Sequence, residues 1–110
     1  MNDTEKFGQL RRGLLEFAVL KVIAARKVYA AEILQALATT EFATGEGTLY
    51  PLLSRLRREG AIAYDWVESE AGPPRKYFGL TDTGKQQLAD LGTYWKTIHT
   101  TLEKLGENNE

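Results

Sequence analysis

GTLYPLLSRLRREG, Gly47 to Gly60, and GPPRKYFGLTDTG, Gly72 to Gly84, are the two stretches that decide how this chain folds. In the first, Leu49, Leu52, Leu53 and Leu56 recur at the three-and-four spacing of a buried helical stripe. Around that stripe stand Thr48, Tyr50, Ser54, Arg55 and Arg58, a donor-rich set suited to phosphates and base edges. Pro51 is best tolerated in a first turn, where backbone N–H groups lack partners, so Gly47 or Thr48 is expected as the cap. Thr48, Tyr50 and Pro51 would then form the presented opening turn.

The second stretch reads as the tip and return strand of a β-hairpin. Its outgoing strand spans about Ala61 to Ser69, with Ile62, Tyr64 and Trp66 alternating onto one face. Glu70 to Pro74 is expected to be the turn, because two prolines cannot donate to a ladder. Arg75 and Lys76 would follow at the tip, and Tyr77, Phe78 and Leu80 would lead back to the core. A helix followed by a basic-tipped hairpin is the layout of a winged helix, in which the helix enters a major groove and the wing lies along the DNA backbone.

The flanking segments are helical. Helix 1 is expected from about Gln9 to Arg26. Its apolar residues (Leu10, Leu14, Leu15, Phe17, Ala18, Val19, Leu20, Val22, Ile23) surround most of the circumference, which calls for cover on two sides. Helix 2 spans about Tyr29 to Ala38 with Ile33 and Leu37 inward. The last helix begins near Thr81, whose hydroxyl can cap it while Asp82 complements the dipole, and is expected to stop near Gly106. Along it Leu88, Leu91, Trp95, Ile98, Leu102 and Leu105 form an a/d heptad seam. The seam is too short for a free-standing coiled coil, so helix 1 is its natural second wall and a homodimer is the expected assembly. The division is residues 1–80 as a winged helix-turn-helix unit, 81–105 as a dimerisation helix and 106–110 as a frayed tail; the fold class is α+β, mainly α.

At RRGLLEF, at Tyr29 with Glu32 and Ile33, at GTLYPLL and at GPPRKY…LT…G, the chain resembles the PadR family of bacterial transcriptional regulators. The likeness extends from Leu10 to Leu105, and its single C-terminal helix is similar to the short subfamily. It implies a dimeric DNA-binding regulator, a repressor in the usual case, with Thr48, Tyr50, Pro51, Ser54, Arg55, Arg58, Arg75 and Lys76 toward DNA. Some short PadR-like regulators bind planar aromatic compounds between their subunits, which here would place Phe17, Lys21 and Trp95 around an effector. The chain departs from the family pattern at Tyr29-Ala30-Ala31-Glu32, where glycine and an aromatic are more usual, and at Gly45-Glu46, which sets an acid beside the presented turn.

Composition limits the alternatives. At 110 residues the chain makes one domain, and without cysteine it has no disulfide, thiolate nucleophile or zinc knuckle. No nucleophile–base pair or complete phosphate loop is present, so neither an enzyme nor a cofactor is expected. No apolar run or leader pattern points to a membrane, and a cytoplasmic bacterial protein is expected. The net charge of −1 runs against the usual basic footprint of nucleic-acid binding. The charge is unevenly placed, however: residues 10–60 carry eight Lys or Arg against five Asp or Glu, whereas 81–110 carry three against five. Bland readings stand beside several of these. The Gly47–Gly60 face can be an ordinary solvated one, Arg75 and Lys76 can serve solubility, Tyr50 and Trp95 can be packing, and the seam can close within one subunit. His99 is expected on the surface without a role. The competing function is a winged-helix module for protein–protein contact without DNA.

Overall fold

A computed structural model describes residues 6–107. Helix α1 (Gly8–Ala25) is followed by α2 (Ala30–Leu37), α3 (Glu46–Arg58), strands β1 (Ile62–Ser69) and β2 (Gly72–Leu80), and the long helix α4 (Asp82–Glu107). The architecture is mainly helical with a two-stranded antiparallel sheet, a winged helix. The core gathers Val19, Leu20 and Ile23 of α1, Ile33 and Leu37 of α2, Leu49, Leu53 and Leu56 of α3, and Val28, Ala61, Ile62 and Phe78 from the wing and its approaches. Leu52 completes the expected α3 stripe as a half-buried neighbour. Among the described residues no helix is long and apolar enough to cross a membrane.

The start of α3 corrects the sequence expectation. Its N-cap is Gly45, in an extended conformation, and its first turn contains Glu46, so neither Gly47 nor Thr48 is the cap. The Gly45 carbonyl accepts the N–H groups of Thr48 and Leu49 at 3.2 and 3.0 Å. Pro51 therefore lies one turn inside the helix, where it withholds the N–H that Gly47 would otherwise accept. At the other end Gly60 has φ +78°, its N–H bonds the Arg57 carbonyl at 3.0 Å, and that of Ala61 bonds Leu56 at 2.9 Å. This paired closure needs a left-handed residue, which glycine supplies.

The wing differs in two respects. Its turn is only Glu70–Ala71, and Pro73 and Pro74 belong to β2. Ser69 pairs with Gly72 and Val67 with Arg75, so the two prolines face Glu68 alone. A β-bulge there leaves one residue without a ladder partner, which accommodates residues that have no N–H. Arg75 and Lys76 consequently sit below the tip, opposite Val67 and Trp66, while the tip itself is flanked by Glu68 and Glu70. On the outer edge of β2, Val28 exchanges two hydrogen bonds with Phe78, at 3.1 and 2.7 Å, adding a one-residue third strand that ties the start of α2 to the wing.

Helix α4 is anchored at its beginning. Thr81 Oγ1 accepts the Gly84 N–H at 3.0 Å, as an N-cap does, and its hydroxyl lies 2.5 Å from the Gly60 carbonyl and 3.0 Å from that of Ala61. The helix does not stop at Gly106 but continues to Glu107, since that glycine keeps helical geometry. The rest of the expected frayed tail, 108–110, lies outside the described residues. The C-terminal end of the helix, with Leu102 and Leu105 exposed, extends from the body: the molecule measures 62 × 35 × 21 Å, and its radius of gyration is 16.5 Å, against about 13 Å for a compact domain of about 100 residues.

Gly84 is the one buried residue of α4, and a Cβ there would overlap the backbone carbonyl of Ala61. Because backbone rather than a flexible side chain stands in the way, Gly84→Ala is expected to destabilise the fold by about 1–3 kcal/mol or more. A lowered midpoint in urea denaturation at unchanged slope would register it; an unchanged midpoint would mean that α4 is not seated on Ala61.

Candidate nucleic-acid interface

Helix α3 buries Leu49, Leu53 and Leu56 and turns its polar edge outward. Thr48, Tyr50, Pro51, Ser54, Arg55 and Arg58 are all exposed, Tyr50 to 48%. On the side facing the wing, Tyr50, Leu53, Ser54, Arg57 and Arg58 follow one another at helical spacing. They form one wall of a cleft of about 840 Å³. The opposite wall is Tyr64, Trp66, Arg75, Lys76 and Phe78, and the start of α2 with Tyr29 closes the end. Five of the eight residues assigned to DNA on sequence grounds, Tyr50, Ser54, Arg58, Arg75 and Lys76, thus line one concavity. Thr48 lies apart, in a smaller recess with Arg11, Arg12 and Phe42.

The cleft's cations rest on aromatic rings. The Arg75 guanidinium lies 4.5 Å from the Tyr29 ring centroid, and Tyr29 in turn meets Tyr77 edge-on. Lys76 Nζ lies 4.6 Å from Tyr64 and 5.4 Å from Trp66, and Arg57 lies 4.7 Å from Tyr64 on the other wall. Such contacts orient a cation without neutralising it. Among the described residues no carboxylate pairs with Arg57, Arg58, Arg75 or Lys76; the acids that form ion pairs are engaged elsewhere, as in Lys27–Asp65 at 3.1 Å and Arg26–Glu32 at 3.2 Å.

Arg55 is placed differently. It points toward α1, where it donates to Glu16 at 2.5 Å, and it also pairs with Glu59 at 3.2 Å. The hydrogen bond that Arg55 donates to Glu16 raises its already high pKa, against the opposing effect of desolvation and with support from Glu59. The second oxygen of Glu16 accepts from Gln87 of α4 at 2.7 Å, so one carboxylate joins three helices. Arg55, unlike the cations of the cleft, thus has two carboxylate partners. Arg57, by contrast, was absent from the sequence-based set, although it shares the helical edge of Tyr50 and Ser54, seven and three positions on. The periodicity that marked the buried stripe marks this edge equally well. The pairing partner of Arg55, on a helix 39 residues away, has no such signal.

Outside the cleft, Phe17 lies against Gly92, with Lys21 Nζ 5.3 Å from its ring centroid. Trp95 follows one turn beyond Gly92 and is 41% exposed. Along the seam Leu88 and Leu91 pack on the chain's own core, Ile98 is half-buried, and Leu102 and Leu105 stand open to solvent. His99 pairs with Glu103 at 2.9 Å on the exposed surface of α4.

Residues 19–90 match the family model for PadR-like transcriptional regulators. The fold also matches solved structures at substantial identity. A PadR-like transcription factor from Bacteroides fragilis is 39% identical, with a TM-score of 0.79, over 92% of this chain and 98% of that one. A PadR-like transcriptional regulator from Bacillus cereus is 36% identical at TM-score 0.79, over 88% of this chain and 95% of its own. A PadR family regulator from Eggerthella lenta is 31% identical at the same TM-score, covering 93% and 86% respectively.

The pairing of Arg55 predicts how it responds to mutation. Because it is partly exposed, solvent screening reduces the pair to a modest contribution, and Arg55→Ala should cost on the order of 0.5–1 kcal/mol in thermal or denaturant unfolding. Glu16→Gln should cost a similar amount, and the double variant less than the sum. Strict additivity would show that the two side chains are uncoupled in solution.

Proposed function

Because the chain belongs to the PadR-like family of transcriptional regulators, we propose that it acts as a repressor, binding an inverted-repeat operator in double-stranded DNA as a homodimer. The family is one of regulators rather than enzymes. The observation that carries the proposal is the cleft between α3 and the wing, where cations from both elements, without a carboxylate partner among the described residues, converge beside the exposed polar edge of α3. Residues 1–80 serve as the DNA-reading unit, with α3 in the major groove; Thr48, Tyr50, Pro51 and Ser54 meet base edges, and Arg58, Arg75 and Lys76 meet phosphates. Residues 81–105 serve as the dimerisation helix. Two copies of α3 entering successive grooves require half-sites about 10 base pairs apart, or a multiple.

The open portion of the seam supports the dimer. Trp95, Leu102 and Leu105 are exposed in the single chain at 41%, 63% and 53%, and a partner's α4 and α1 would cover them. Phe17, Lys21 and Trp95 would then lie close to the two-fold axis, around a space suited to a planar aromatic effector. Such a ligand weakens operator binding only if it prefers a wing spacing that the operator does not fit.

With about three phosphates neutralised per protomer, log K should fall against log salt with a slope near −5. Replacing Arg75 and Lys76 together by Ala should weaken binding to all duplexes and flatten that slope, whereas changes at Thr48 or Tyr50 should alter sequence preference at constant slope. The measurement is a salt titration of labelled DNA from upstream of the chain's own gene, beside random duplex. Equal affinity for both would favour the protein-contact reading of the fold.

The seam supplies a second expectation. Ile98→Glu would bury an unpaired carboxylate at a closed interface, at a cost of several kcal/mol, about 3–5, so the variant should sediment as a monomer and lose operator binding. In a Trp66→Phe background it should also lose any quenching of Trp95 by planar aromatic compounds that the dimer displays. An intact Ile98→Glu dimer would place the interface elsewhere.

A further inference from the structure

The two cations on Tyr64 come from different elements. Arg57 belongs to the last turn of α3 and Lys76 to the return strand of the wing, and each lies about 4.6–4.7 Å from the centroid of the same ring. They are thus no more than about 9 Å apart, inside the screening length of about 10 Å at 0.1 M salt. Like charges held this close repel, and among the described residues neither has a carboxylate partner. Tyr64 itself is fixed. It is half-buried on the core, tilted against Phe78 at 5.9 Å and edge-on to Trp66 at 5.9 Å.

A ring that is locked in the core and carries two unneutralised cations from opposite walls of a cleft is a preformed anion seat. Resting on the proposal that this cleft faces DNA, we infer that Arg57 and Lys76 grip one backbone phosphodiester between them, with Tyr64 as the positioning residue that sets their spacing. The seat also joins the wing to the recognition helix: a phosphate held there relieves the repulsion and fixes the distance between α3 and β2. Arg57 thereby adds a phosphate contact to α3 beside Arg55, whose guanidinium meets Glu16 and Glu59.

A purely structural role for Arg57 is available, because a cation in the last turn of a helix complements the helix dipole and can pack its stem on an aromatic ring. The salt dependence of DNA binding separates the two. A residue that neutralises a phosphate contributes about 0.9 to the log–log slope, hence about 1.8 in a two-fold dimer. Salt titrations of the protein on the upstream duplex and on random duplex should therefore show Arg57→Ala shallower than wild type on both, by at most about 1.8, since Lys76 still meets the shared phosphate. Arg57→Lys should keep the wild-type slope. Arg57→Gln, which retains the stem over the ring without the charge, should lose as much slope as Ala, and it serves in place of Ala if that variant unfolds. Tyr64→Phe, which keeps the ring, should bind as wild type, whereas Tyr64→Leu should weaken binding to both duplexes about tenfold or more. A folded Arg57→Gln dimer with the wild-type slope, or Tyr64→Leu with wild-type affinity, overturns the seat while leaving DNA binding intact. Absence of DNA binding by the wild type overturns the seat together with the reading of the cleft.

Discussion

The burial of Leu49, Leu53 and Leu56 against Val19, Leu20 and Ile33 is the constraint on which the rest of the molecule turns. A helix of this length has one apolar stripe, and once the stripe is committed to the core the rotation of α3 about its axis is set. Tyr50, Ser54, Arg57 and Arg58 must then face the wing, and Arg55 must face α1. The same packing leads directly into β1, since Gly60 closes α3 and Ala61 and Ile62, the next two residues, are buried beside it. Helix and wing therefore meet at a fixed angle, and the cleft between them is a consequence of core packing.

Around that frame two groups of charged and polar side chains differ in their partners. Glu16, Arg55, Glu59 and Gln87 satisfy one another and link α1, α3 and α4. Arg57, Arg75 and Lys76 rest on aromatic rings, and among the described residues neither they nor Arg58 have a carboxylate partner. Net charge conceals this division, because a chain that is nearly neutral overall still concentrates free cations in one concavity. The field that an approaching polyanion meets depends on that local arrangement.

The long C-terminal helix has a different economy of surface. Its first turns are fastened by Thr81, Gly84, Leu88 and Leu91, while its far half leaves Trp95, Leu102 and Leu105 exposed. Exposed apolar side chains repeating along one side of a projecting helix favour association through that side. The Glu16 carboxylate, shared between Gln87 of α4 and Arg55 of α3, joins this helix to the one that lines the cleft.

Periodicity and local chemistry were sufficient for the elements themselves. The four leucines of α3, the alternation of Ile62, Tyr64 and Trp66, the Thr81 cap and the winged-helix layout were legible because each depends on neighbours a few residues apart. Boundaries were less so. Pro51 suggested a later start for α3, but Gly45 caps a helix that already includes Glu46 and Gly47, and the prolines after Gly72 suggested a longer turn than the bulge opposite Glu68 requires. The candidate site was legible in its residue types and only partly in its membership. Which arginine of Arg55 and Arg57 remains free depends on Glu16 and Tyr64, partners distant in sequence that only the packing of α1 and the wing against α3 brings into reach. Sequence alone thus determined which segments form helix and wing, because helical and strand periods are local. Tertiary structure alone decided which charges are neutralised, because ion pairs and cation–ring contacts act over a few ångströms between segments whose separation along the chain carries no record of them.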